Sequence, residues 1–112
     1  MPNTLNAQPQ DHLAPDPHLL LGARVLIPQH VVYRTFPSET VVLNLHTGRY
    51  HGLNVTAGKM LDVLKDASAV RDAVGTLASE FRLDPTLVRR DVCSLCRELL
   101  QRGLIELDAP VR

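Results

Sequence analysis

Cys93 and Cys96 stand three residues apart, the spacing of zinc ribbons and of thiol-disulfide enzymes. A structural zinc takes four ligands, normally completed by a second such pair or by paired histidines. The five histidines, His12, His18, His30, His46 and His51, offer no matching spacing, so no metal centre is expected. A redox pair works best at a helix N-terminus, where the dipole lowers a thiol pKa. This one falls well inside a helical pattern and reads as two small apolar helix residues. His46 and His51 flank a turn without a neighbouring serine or cysteine in a nucleophile motif, although sequence leaves open a spatial pairing with Cys93. No phosphate-cradling glycine loop and no paired-carboxylate signature occurs. Neither catalysis nor a cofactor is expected.

The chain that positions these residues has 112 of them, with 12 basic and 12 acidic side chains, 8 prolines and no tryptophan. That length allows one small domain, which buries only about 60 to 70 % of the surface its unfolded chain exposes. With a formal charge of zero, no global positive field draws it to nucleic acid or to an anionic membrane. The longest mainly apolar stretch, Leu19 to Ile27, contains Arg24 and falls far short of the roughly 20 residues of a membrane span. The first ten residues lack the basic start and apolar core of a secretory signal, and two cysteines make no disulfide framework, so a cytoplasmic setting is expected.

Four prolines fall within the first 17 residues among Asn, Gln, Asp and His. Such a segment offers little apolar surface to offset its ordering entropy, so residues 1 to 20 are expected as a flexible tail and 21 to 112 as the domain. Thr40 to Leu45 (TVVLNL) alternates, with Val41, Leu43 and Leu45 on one strand face. His46-Thr47-Gly48 resembles a three-residue hairpin loop, which returns the chain antiparallel over Arg49 to Leu53. An earlier strand within Gln29 to Phe36 completes a three-stranded meander.

Helical spacing begins after Asn54, where Ala57, Met60, Leu61 and Leu64 share a face. A second helix, starting near Ser68, lines up Val70, Ala73, Val74, Leu77, Ala78 and Phe81. The third is bounded by Asp84 as N-cap, Pro85 in the first turn and Gly103 beyond the end. At about 100° per residue its apolar residues, from Leu95 and Val88 round to Cys93, span an arc of about 160°, wider than the ~100° one surface needs. The surplus can line a groove or merely seat the helix centrally. Ile105 to Leu107 suggests a short closing strand.

Two helices joined by Arg82-Leu83-Asp84 beside a hairpin also make a helix-turn-helix-like unit, and a winged-helix DNA-binding regulator is the rival reading. Arg89, Arg90, Arg97 and Arg102 are opposed by Asp91 and Glu98 and scatter around the third helix. No coherent basic face forms, and Arg90 with Arg97 reads as solvated surface.

The run LNLHTGRYHGLN (43–54), the helix ending KMLDVL (59–64) and DPTLVRRDVCSLCRELLQRGLIEL (84–107) together resemble the PqqD-like family. More narrowly, they resemble the stand-alone precursor-recognition proteins, or RiPP recognition elements, of lasso-peptide biosynthesis. The features that carry the likeness are Thr47-Gly48-Arg49-Tyr50, Gly52-Leu53-Asn54, and the late pattern Asp91-Val92, Leu95, Leu99, Gly103-Leu104. Leu61 stands where many relatives have tryptophan, and Cys93 and Cys96 are not family features. The resemblance implies an α+β, winged helix-turn-helix-like fold, with a three-stranded antiparallel sheet followed by three helices. It implies a non-catalytic protein that binds the leader segment of a ribosomally made precursor and presents it to a separate cysteine-type leader peptidase and then a cyclase. A PqqD-type carrier serving a radical enzyme is the alternative within the fold.

Strand addition at a free sheet edge makes that role physically plausible. Each backbone hydrogen bond contributes only about 0.5 to 1.5 kcal/mol net, against about 1 to 2 kcal/mol to order each peptide residue. Side-chain anchoring must therefore supply selectivity. The expected cleft places Arg49, Tyr50, His51 and Leu53 opposite Val88, Arg89, Asp91, Val92 and Leu95, while Tyr50 and Leu53 read equally well as core.

Overall fold

The computed structural model describes residues 17–108. Its order is α1 Pro17–Gly22, β1 Arg24–Leu26, β2 Val31–Thr35, β3 Thr40–Asn44, β4 Tyr50–Leu53, α2 Val55–Asp66, α3 Val70–Phe81, α4 Pro85–Gln101 and β5 Glu106–Asp108. Residues 1–16 of the expected tail lie outside the described part. The expected boundary after residue 20 falls too late, because Pro17–Gly22 is already helical and Leu20 is wholly buried. α1 packs on α3 and α4. Its end also serves α3, whose N-cap Ala69 has no side-chain acceptor: Val70 N–H donates to Ala23 O at 2.8 Å.

The expected meander is present, antiparallel in the order β2-β3-β4. The hairpin closes one residue earlier than the three-residue loop implied. Asn44 N donates to Arg49 O at 2.9 Å, and Asn44 Oδ1 accepts from His46 N and Thr47 N. The turn returns through Gly48 at φ +75°, a left-handed conformation that suits a residue without Cβ. The Val41/Leu43/Leu45 face proves to be the outer one. Thr40 and Val42 are buried against the helices instead. A second ribbon, β1 with β5, pairs Arg24 with Asp108 and Leu26 with Glu106. Its C-terminal strand was anticipated. Its N-terminal partner was not, since three residues carry no readable alternation.

The core joins the helical stripes to the inner sheet face. All of Val70, Ala73, Val74, Leu77 and Ala78 in α3 are buried, as are Met60, Leu61 and Leu64 in α2. The wide apolar arc of α4 goes into this core: Val88, Val92, Cys93, Leu95, Cys96 and Leu99 are all buried. Asp84 caps it through Thr86 N at 2.8 Å, and beyond its end Leu104 N returns to Leu99 O at 2.9 Å. The sheet meets α2 at two points. Tyr33 Oη donates to Asp62 Oδ1 at 2.9 Å, and the buried Thr40 lies directly over Gly58.

A Cβ at Gly58 would overlap the Thr40 side chain. Gly58→Ala should lower stability by about 1 to 3 kcal/mol, the usual cost of overpacking, despite alanine's better helix propensity. Thr40→Ala combined with Gly58→Ala should recover part of that loss in a double-mutant cycle read by urea denaturation. Burial also pushes the Cys96 thiol from its ordinary 9.0 up to about 12 and raises that of Cys93. The Tyr33 phenol is raised too, by burial and then by its bond to Asp62. These groups hold their protons in the folded state and lose them more readily once unfolded. Stability should thus be flat up to about pH 9 and fall as pH climbs toward 12, checked by denaturation midpoints at pH 7, 9 and 10.5.

Candidate functional site

β4 is an outer strand of the meander, and β5 is paired with β1 in a separate ribbon. Because Asn44 and Arg49 form a hydrogen-bonded pair, antiparallel alternation turns the backbone groups of His51 and Leu53 toward β3. By the same alternation Tyr50 and Gly52, opposite Leu43 and Val41, direct their N–H and C=O away from it. Among the described residues no strand takes them up. A free edge two residues deep in donor and acceptor pairs therefore runs along β4.

Two hollows lie near the ends of that edge, the first at Arg49 and His51 and the second beyond Leu53 at Asn54. The first, of about 460 Å³, is bordered by Asn44, Thr47, Arg49, His51 and Arg102. The second, of about 260 Å³, lies between the start of α2 and the flank of α4, with Ala57, Met60 and Leu95 as its apolar lining and Asp91, Ser94 and Glu98 along one wall. A polar bridge separates them. Arg102 donates from Nη1 to His51 Nδ1 at 3.3 Å and pairs through Nε with Glu98 Oε2 at 3.6 Å. Arg102 thereby ties the end of α4 to β4. Charge is split along the groove, cationic at Arg49 and Arg102 and anionic at Asp91 and Glu98. A strand added at this edge would meet backbone partners on one side and charges of opposite sign toward its two ends.

The expected site residues separate into four groups. Arg49 and His51 border the first hollow, and Asp91 and Leu95 the second. Tyr50 offers its backbone to the free edge, but its side chain is 70 % exposed on the outer sheet face. Leu53, Val88 and Val92, at 7 %, 2 % and 0 % exposure, belong to the core. Arg89 lies on another flank of α4, in a groove with His18, Leu21, Arg90, Cys93 and Arg97. Arg102, Glu98, Ser94 and Met60 went unrecognised in the sequence. For the α4 members a signal existed: Asp91, Ser94, Glu98 and Arg102 follow at helical spacing down one flank.

The remaining candidates for chemistry are held in structural contacts. His46 stacks on His30 with ring centroids 4.2 Å apart, and His30 Nε2 donates to Gly103 O at 3.3 Å. Neither His46 nor His51 borders the Cys93 groove. Among the described residues no three His, Cys, Asp or Glu side chains gather as metal ligands, and no helix is long and apolar enough to cross a membrane. Outside the sheet, Val32, Phe36, Val41, Leu43 and Tyr50 surround a mainly apolar hollow of about 490 Å³ with Arg34 at its border.

A three-stranded sheet with a free edge, followed by three helices of which α3 and α4 form a helix-turn-helix, defines an α+β protein of the winged-helix type. This chain belongs to the PqqD family, described as coenzyme PQQ synthesis protein D, whose pattern matches residues 39–105. Its fold is similar to that of TbiB1 in complex with the TbiA(beta) leader peptide, at a TM-score of 0.66 and 28 % identity, covering 72 % of this chain and 94 % of the other. It is also similar to a lasso peptide synthetase B1 complexed with the leader peptide, at a TM-score of 0.68 and 25 % identity, covering 75 % and 99 %. No curated protein matches this chain in sequence.

Proposed function

We propose that this protein binds the leader segment of a ribosomally made precursor in lasso-peptide maturation, adding it as a strand along β4. It contributes no catalytic group of its own, and in a cytoplasmic pathway it presents the bound precursor to a separate cysteine-type leader peptidase and then to a cyclase. The observation that carries this reading is the free edge of Tyr50 and Gly52 beside the lined flank of α4. Both neighbours of the same fold are leader-peptide complexes. Backbone pairing supplies geometry and modest affinity, while side chains opposite His51 and Leu53 point inward to the two hollows and supply selectivity.

DNA recognition is the weaker reading. The flank of α4 beside the free edge carries Asp91 and Glu98, which would face phosphates, and the chain has no net charge to hold a duplex. The PqqD-type carrier for a radical enzyme keeps the same groove and differs only in the peptide it receives. We place the peptidase on the outer sheet face. That face is apolar and exposed, and through Tyr50 it is continuous with the strand the leader extends, so a bound leader would enlarge it.

The test is titration of a labelled leader peptide, encoded by a short reading frame beside this gene, with duplex DNA as control. Saturable leader binding that changes little between low and moderate salt is expected. No binding up to high micromolar by a folded sample would refute the reading. Tyr50→Pro removes an N–H that β3 does not use, and proline is tolerated at such positions on edge strands. It should leave the fold intact yet weaken the leader by about tenfold or more through the lost bond and the blocked edge, whereas Tyr50→Ala should change affinity far less. Phe36→Asp should leave leader affinity unchanged and abolish stimulation of the peptidase, measured as cleavage rate with and without this protein.

A further inference from the structure

A third groove, of about 360 Å³, lies between α1 and α4, bordered by His18, Leu21, Arg89, Arg90, Cys93 and Arg97. On α4, at about 100° per residue, its residues centre some 135° around the helix from Asp91, Ser94, Leu95 and Glu98, so it opens on a different flank from the leader groove. Its composition is one-sided. Among the described residues, three guanidinium groups surround it and no carboxylate lines it. Arg89 and Arg97 make no ion pair among the described residues, and Arg90 has only an exposed contact with its neighbour Asp91 at 3.5 Å, of a kind worth little.

Three cations around one groove, two of them without an ion pair among the described residues, repel one another, a cost that an anionic ligand relieves. Both Arg89 and Arg97 act on the Cys93 thiol, pulling its pKa down against the larger effect of burial. That places the two charges around the same floor. The floor itself is apolar, made by Leu21 and the buried Cys93. Planar guanidinium forks match carboxylates in bidentate geometry, and the hollow is large enough for one apolar side chain among them. A phosphate backbone would use the charges and leave the floor unfilled.

We propose that the groove between α1 and α4 is a second docking site, for an acidic peptide segment with a central apolar side chain carried by an enzyme that acts on the bound precursor. It rests on the leader-binding reading for the partner's role, and its own chemistry is independent of the leader. Because the two grooves lie on different flanks of α4, leader and acidic segment bind together, and this protein bridges precursor and enzyme.

The test is fluorescence anisotropy with the full chain and a labelled heptapeptide in which glutamates flank one central leucine. Saturable binding is expected, weakened about tenfold by Arg90→Glu with Arg97→Glu, as charge reversal at a desolvated contact implies, and largely kept by the two lysine replacements. Changing the leucine to glutamine should weaken it about fivefold, in keeping with the loss of a buried apolar group. Leader peptide should not compete. The inference is overturned if the heptapeptide fails to saturate up to millimolar concentration, if affinity ignores the charge reversals or the leucine, or if duplex DNA displaces it more effectively than excess unlabelled heptapeptide. Leader titration of the parent chain and of the double variant keeps the two ideas apart, and the double variant should bind leader as the parent does. A parent chain that binds leader but not the heptapeptide sinks only this site, whereas one that binds the heptapeptide but not leader sinks the proposed function and the partner's role drawn from it, and leaves the groove as an acidic-peptide site.

Discussion

Backbone amides on a sheet margin must find partners, and on β4 the groups of Tyr50 and Gly52 have water or a visiting chain to choose from. The elements around that margin leave it open. α4 stands beside it, pinned in the core by Val88, Val92, Cys96 and Leu99, and so cannot swing in to cover the edge. Gly58 lets α2 approach Thr40 closely enough to hold the inner face of β3. β5 pairs with β1 and adds nothing to the three-stranded sheet. A free edge is usually a hazard for aggregation. Here it is short, and the charged Arg49, Arg102 and Asp91 stand around it, discouraging indiscriminate pairing.

The wide apolar arc of α4 illustrates how one observation supports two outcomes. Sequence alone read the surplus as groove lining or as central packing, and the helix is in fact surrounded: α1, absent from the sequence reading, covers the side that would otherwise have been exposed. What lines the hollow beside α2 is the polar flank next to the arc. The physical reason is general. The most apolar residues of α4 are more stable in the core than at a wetted surface, so of its buried residues only Leu95 reaches this hollow, and Asp91, Ser94 and Glu98 are the helix's other contributions.

Much of the fold was legible because its signals are local. Asp84, Pro85 and Gly103 mark α4 within a residue or two, the α3 stripe is buried as spaced, and the three-stranded meander follows from alternation and turn chemistry. The face of β3 was not legible, since TVVLNL is apolar on both sides and only tertiary packing decides that Thr40 and Val42 go inward. Arg49, His51, Asp91 and Leu95 could be placed near the groove by resemblance and helical angle. Arg102 could not, because its role depends on a contact with His51 across fifty-one residues of chain.

The pairing of Arg24 with Asp108 brings the first and last parts of the described chain side by side. The ribbon acts as a clasp, fastening the chain that leaves α1 to the chain that leaves α4, so that the helices flanking the second groove are held together from both sides. A graft onto another polypeptide would have to begin ahead of α1 and not at the clasp, because Leu20 lies wholly in the core and Ala23 O holds the first turn of α3.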